Sequence, residues 1–198
     1  MVPQAPAPNR ARHGPDEASK WVARFAKLVP TGGPVLDLAA GRGRHTRFFL
    51  KRGHPVLAVD RDIAALESIA SPRLELLRAD LEEGPWPLEG RRFAGVIVAN
   101  YLHRPLLPAV IAAVADGGAL IYETFASGNE AYGRPRNTDF LLRAGELLEA
   151  VRGTLEVVAY EHGPVDRPRP AVIQRIAARR SSSPTTTSRN PNEPAPMR

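Results

Sequence analysis

The stretch VLDLAAGRGRHT at residues 35–46, followed by the apolar run PVLAVD that ends at Asp60, decides the fold. An apolar run, a pair of glycines, a helix-like segment and a second apolar run with an acid at its tip spell strand, turn, helix and strand. Gly41 and Gly43 carry no Cβ, so backbone N–H groups at the helix N-terminus can approach a ligand closely. Asp60, ending the second strand, is placed to accept hydrogen bonds from ribose hydroxyls, as in nucleotide-binding βαβ units. The arrangement is that of a cofactor site.

The turn itself narrows the choice of cofactor. A dinucleotide fingerprint asks for glycine at three places, and the third is Thr46 here. Asp37, inside the end of the first strand, has no use to a pyrophosphate and suits a cationic ligand. The segment DLAAGRG from Asp37 to Gly43 resembles the first motif of class I S-adenosylmethionine-dependent methyltransferases, written D-x-G-x-G-x-G, with Ala39 in place of the first glycine. Ala39 is expected to take an ordinary backbone conformation. The resemblance continues in order through roughly residues 34 to 125. It implies that Asp60, with Arg61 beside it, holds the ribose hydroxyls, and that Asp80 in LELLRADL approaches the adenine amino group with Leu81 against the ring. It also implies that Asn100, closing FAGVIVAN, lies beside the methyl donor, and that S-adenosylmethionine is the cofactor. A nicotinamide-dependent oxidoreductase is disfavoured by Asp37 and Thr46.

Composition bounds the rest. A chain of 198 residues with 43% apolar content supports one packed α/β core. No run approaches the eighteen or so apolar residues of a membrane span and no signal-like segment opens the chain, so a cytoplasmic protein without membrane contact is expected. The absence of cysteine removes disulfides, thiolate metal sites and any cysteine nucleophile, including the covalent route to cytosine C5 methylation. No metal site is expected. Residues 1–12 and 181–198 are rich in Pro, Ser, Thr and Asn and are expected to be disordered, leaving a methyltransferase domain over residues 13–180.

Within that domain the periodicity predicts a Rossmann-like, doubly wound α/β sheet of seven strands, mostly parallel with a C-terminal antiparallel hairpin strand. Ala18, Trp21, Val22, Phe25, Leu28 and Val29 form one face of a first helix, with Pro15 and Asp16 as its cap. This helix is expected to cover the sheet edge or the cofactor mouth. Strands are predicted at 35–39, 56–60, 74–77, 95–99, 119–125, 155–161 and 171–178. Helices are predicted at about 44–52, after Asp62, at 105–115 and near 146–151, with Gly117 and Gly118 turning into the fifth strand. Ligands of such sheets sit beyond the carboxyl ends of the strands, where every candidate residue maps.

The acceptor side is less determined. Methyl transfer from a sulfonium is an in-line displacement with an activated donor, so a general base is needed only if the acceptor must lose a proton. His103 follows the fourth strand and is a candidate base; Asn100, Tyr101, Glu123, Tyr132 and Arg134 are further acceptor-side candidates. The loop from 126 to 139 exceeds the usual connection length and is expected to bind or cover the acceptor, with Phe140, Leu141 and Leu142 anchoring it. The segment ETFASGNEAYGRPRNTDFLLRAGELLE at 123–149 is similar to the corresponding part of small bacterial methyltransferases related to the tellurite-resistance enzymes, which implies a stand-alone enzyme without a separate recognition domain and leaves the acceptor open; a monomer or homodimer is expected. The amino-methylating signature N-P-P-[YF] is absent, since Asn100-Tyr101-Leu102-His103 shares only its first residue. A net charge of +6, with Arg42, Arg44 and Arg47 after the glycine turn, suits RNA or an anionic metabolite and keeps RNA as an alternative acceptor. Aromatics at 6% place a small molecule ahead of RNA. A non-catalytic S-adenosylmethionine-binding module is the remaining alternative, and it would lack an open cavity beside Asn100.

Overall fold

The computed structural model describes residues 17–182. Its sheet has seven strands: β1 (Val35–Leu38), β2 (Val56–Asp60), β3 (Leu74–Arg78), β4 (Phe93–Ala99), β5 (Val114–Phe125), β6 (Glu156–Val165) and β7 (Ala171–Arg179). They lie in the order β3-β2-β1-β4-β5-β7-β6, with β7 antiparallel to both of its neighbours and the other pairings parallel. This is the doubly wound, mostly parallel α/β sheet that the sequence pattern predicts. Five helices flank it: α1 (Lys20–Phe25), α2 (Arg44–Lys51), α3 (Ala64–Glu67), α4 (Leu107–Ala112) and α5 (Glu146–Val151). Among the described residues no helix is long and apolar enough to cross a membrane.

Strand alternation splits the core into two layers and fixes which side each later residue faces. Leu36, Leu38, Val96, Val98, Leu120 and Tyr122 join α4 and α5 on one face. Val35, Ile97, Ala119, Ile121 and Ala177 join Trp21, Val22, Phe25 and Phe49 of α1 and α2 on the other. By the same alternation Asp37, Glu123 and Arg175 belong to the α1–α2 face.

Four local expectations are corrected. The first helix is capped by Ser19, whose side chain accepts from the Val22 N–H at 3.0 Å, because its hydroxyl can reach the orphan amide; Pro15 and Asp16, like most of both tails, lie outside the described residues. That helix packs across the sheet face and not over its edge, with the Trp21 indole N–H donating to the Ile176 carbonyl at 3.2 Å. The helix predicted at 105–115 stops earlier: a 3-10 turn (Arg104–Leu106) leads into α4, and Val114 already pairs with Phe93 as the start of β5. Gly117 and Gly118 then form the irregular step before pairing resumes at Ala119 opposite Gly95. Finally, the helix after Asp62 is one turn long, with Asp62 Oδ1 accepting from the Ala64 N–H at 3.1 Å, while Ile63 and Ile69 flank it.

Candidate functional site

Beyond β1 and β4, where the winding of the sheet reverses, the chain makes two unusual turns. Ala39 has φ 53° and Asn100 has φ 57°, the only non-glycine residues with positive φ among those described. The expectation of an ordinary conformation at Ala39 is therefore wrong: the backbone keeps the left-handed bend of a glycine and forces alanine into it, at a cost of about 1–2 kcal/mol. Asparagine tolerates this region better than most residues. Strain of this kind collects where backbone must be aimed at a ligand.

The two glycines that follow do different work. A Cβ at Gly41 would meet nothing within 4 Å, and the Gly41 N–H donates to Asp60 Oδ2 at 2.7 Å, tying the turn to the tip of β2. At Gly43, the residue before α2, a Cβ would come within 2.6 Å of Leu66 and 2.8 Å of Ile69. Gly43 thus serves close packing against the α3 segment as well as its positive φ of 77°.

Asp37 lies beneath this turn and not on a cavity wall. It is 2% exposed and accepts from the Thr46 hydroxyl at 2.6 Å and also from the Thr46 backbone N–H. Gly43 has no side chain with which to cap α2, so a carboxylate from β1 caps the helix from below, where the helix dipole favours a negative charge. Burial outweighs these bonds and raises the Asp37 pKa to about 6. The carboxylate expected to meet a cationic ligand is spent on the helix, and Thr46, which replaces the third glycine, is its partner.

A cleft of about 510 Å³ opens at the reversal point. Ala39, Asp60, Arg61, Asp80, Leu81 and Asn100 all line it, bringing most of the predicted cofactor residues together. Asp60 Oδ1 accepts from the Asp62 N–H at 3.0 Å and Asp80 Oδ1 from the Glu82 N–H at 2.9 Å, so both acids are oriented by their own turns. Leu102, Thr124, Phe125 and Pro135, which sequence reasoning did not single out, complete the wall with Phe140, expected only as a loop anchor. Tyr101 lines it too, and its hydroxyl is the one buried side-chain polar atom among the described residues without a hydrogen-bond partner. Burial, with Glu82 and Asp80 nearby, pushes its pKa up to about 12, so the phenol stays protonated and able to donate.

A second cleft of about 500 Å³ shares Asn100, Thr124 and Phe125 with the first and continues toward the α1–α2 face. Strand parity brings Glu123 and its cross-strand partner Arg175 into it, and Ser19, Lys20, Arg44 and the β6–β7 loop supply the remaining walls. Glu123 is half-buried; burial raises its pKa, against a hydrogen bond from Ser19 and the charges of Arg44 and Arg175. His45 anchors the α1 end of this cleft as a neutral acceptor, its Nε2 taking the Ser19 N–H at 3.3 Å, because burial and Arg44 hold its pKa down to about 3.

The other acceptor-side candidates fall elsewhere. His103, Tyr132 and Arg134 line neither cleft. His103 is half-buried at the entry to the 3-10 turn before α4, where its carbonyl accepts from the Leu106 N–H at 3.0 Å. Tyr132 is 52% exposed, and Arg134 is exposed with its carbonyl taken by Arg169 at 3.0 Å. The loop from 126 to 139 is pinned rather than free. Asn129, 1% exposed, donates to the Pro135 carbonyl at 3.1 Å and accepts from the Val172 N–H at 3.3 Å. Arg104 then clamps its end, donating to the carbonyls of Asp139 and Leu141 at 2.6 and 2.7 Å and to Glu146 at 2.6 Å. Leu141 and Leu142 anchor the loop as expected, but Phe140 is 45% exposed and turns to the first cleft instead.

No protein-family model and no curated relative matches the chain. Solved structures match it. TehB from Haemophilus influenzae is similar with a TM-score of 0.64 at 18% identity over 81% of this chain, which spans 61% of the TehB chain. The 1,6-didemethyltoxoflavin-N1-methyltransferase of Burkholderia thailandensis, solved with S-adenosylhomocysteine, has a TM-score of 0.61 at 23% identity, covering 81% of this chain and 76% of its own. The glycopeptide N-methyltransferase MtfA with sinefungin gives 0.58 at 20% identity, over 89% of this chain and 99% of that one. The fold is that of the class I S-adenosylmethionine-dependent methyltransferases.

Proposed function

We propose that the chain is an S-adenosylmethionine-dependent methyltransferase that transfers a methyl group in line to a small-molecule acceptor. One observation carries the reading: the two left-handed non-glycine residues, Ala39 and Asn100, line a cleft at the reversal point of the sheet together with the acids that end β2 and follow β3. When bound, S-adenosylmethionine supplies a methyl group already activated on a sulfonium. Asp60 would accept from the ribose hydroxyls while keeping Gly41 in place, Asp80 and Leu81 would meet the adenine, and the unpartnered Tyr101 hydroxyl is suited to a polar atom of the ligand. Asn100, which lines both clefts, would sit at the reacting end. The complexes of two structural neighbours with S-adenosylhomocysteine and sinefungin support the same cofactor.

The second cleft beside Asn100 argues against a module that only binds the cofactor, and its volume suits a small acceptor. RNA is the second reading, favoured by the cationic walls of that cleft. Calorimetric titration with S-adenosylmethionine, S-adenosylhomocysteine and NAD tests the proposal. Binding of the first two and none of NAD is expected; tight NAD binding without response to the others would overturn it.

A further inference from the structure

We propose that the second cleft binds an organic anion, a small carboxylate or phosphate monoester with an apolar body, as the methyl acceptor; this rests on the methyltransferase reading above. Five cationic side chains line the cleft, Lys20, Arg44, Arg167, Arg169 and Arg175, against the carboxylates of Glu123 and Asp166. Glu161, outside the lining, accepts from Arg175 through Nε at 2.9 Å and also through one of its amines. Even with all three acids set against them, positive charge is in excess, and a cavity with excess charge of one sign selects a ligand of the other.

The cations are also arranged. Arg175 stacks over the Trp21 ring at 4.7 Å, and Arg169 lies 5.3 Å from the Phe125 ring centroid with one amine on the Arg134 carbonyl at 3.0 Å. Arg169 held in this way presents a fixed guanidinium to carboxylate or phosphate oxygens, whereas Arg175, its Nε and one amine taken by Glu161, contributes charge. Between them Phe125, Val165 and Ile173 supply apolar wall, which an inorganic oxyanion would leave without a partner.

Glu123 orients the ligand. Its carboxylate repels the anionic end, which docks at Arg167 and Arg169 in the β6–β7 loop. The nucleophilic end is left toward Asn100 and Thr124, the wall common to both clefts. Loop cations thus set the identity of the acceptor, and strand residues set its position.

The test is calorimetry on the full chain saturated with S-adenosylhomocysteine, with benzoate, phenyl phosphate, neutral benzamide and a short single-stranded RNA as probes. Benzoate or phenyl phosphate should bind about tenfold or more tightly than benzamide, the ratio of the two anions distinguishing carboxylate from phosphate. The R167S/R169S variant should lose about tenfold of that affinity while S-adenosylhomocysteine binds as in the wild type. Because Arg169 also holds the Arg134 carbonyl, Arg167→Ser alone is the second variant, with a smaller loss in the same direction. Equal binding of benzamide, unchanged anion affinity in both variants, or RNA binding that displaces the anions would overturn the proposal while leaving the methyltransferase reading intact. Failure to bind S-adenosylhomocysteine would overturn both.

Discussion

Replacing Asp37 with asparagine should flatten the pH dependence of stability between about pH 4 and pH 6. Asp37 is 2% exposed, and burial lifts its pKa from 3.8 to about 6, although the two Thr46 bonds and Arg44 pull the other way. The folded protein therefore holds this proton more tightly than the unfolded chain does. The favourable contribution of the protonated acid is fully present below pH 3.8 and is lost as the pH rises through about 6. The distance between those values is worth about 3 kcal/mol. D37N keeps an acceptor for the Thr46 hydroxyl and does not titrate; its buried amide N–H groups shift the whole curve without adding slope. Urea unfolding of both proteins at closely spaced pH measures the difference. Wild type should lose about 3 kcal/mol relative to D37N between about pH 3.5 and pH 7, and parallel curves would refute the reasoning.

Four further outcomes are expected. Ala39→Gly should stabilise the protein by about 0.5–1 kcal/mol in urea unfolding, because relief of the left-handed strain exceeds the added freedom of the unfolded chain. Asp60→Ala should weaken S-adenosylhomocysteine binding by about 1.5–3 kcal/mol in calorimetry, and unchanged affinity in a folded variant would contradict its role. Tyr101→Phe should raise the stability of the ligand-free protein by about 1 kcal/mol, since a buried hydroxyl without a partner is removed, and should shrink the thermal shift given by S-adenosylhomocysteine. Arg104→Gln should speed hydrogen exchange across residues 137–142 while leaving β1 and α2 unaffected, because one guanidinium holds both loop carbonyls and Glu146.

The sheet was legible because its strands are apolar runs punctuated by glycine and acids, and period and punctuation survive in sequence. The helix α5 matches its expected bounds, and the strand that ends at Asp60 does so to the residue. Boundaries failed where tertiary pairing overrode local preference: Val114 reads as the last apolar position of a helix, yet Phe93 recruits it into β5. Ala39 failed for a related reason, since nothing in one alanine reveals the dihedral that its neighbours impose. The residues that meet at the first cleft were readable because each follows its own strand, and sheet topology alone brings strand ends together. Tyr132 and Arg134 were misplaced because loop length signals a wall but not which side chains turn inward; Phe140, expected to anchor, does so instead.

One signal in the sequence points to the second cleft. In VLDL and in LIYETF an acid occupies a position whose strand parity directs it at the α1–α2 layer, and an acid there needs a reason. For Asp37 the reason is Thr46, found only when α2 folds back over β1. For Glu123 the helix offers less: Ser19 bonds it, and Arg175 and Arg44 contribute charge from other elements. A buried acid satisfied by both the hydroxyl and the backbone N–H of one residue is a structural device; an acid with a single hydroxyl partner at the head of an open, cationic cleft retains capacity for a ligand. The same burial that is neutralised under the glycine turn is thus left available one strand pair away. That difference separates a residue that builds the glycine turn from one that, on the proposed reading, faces the acceptor.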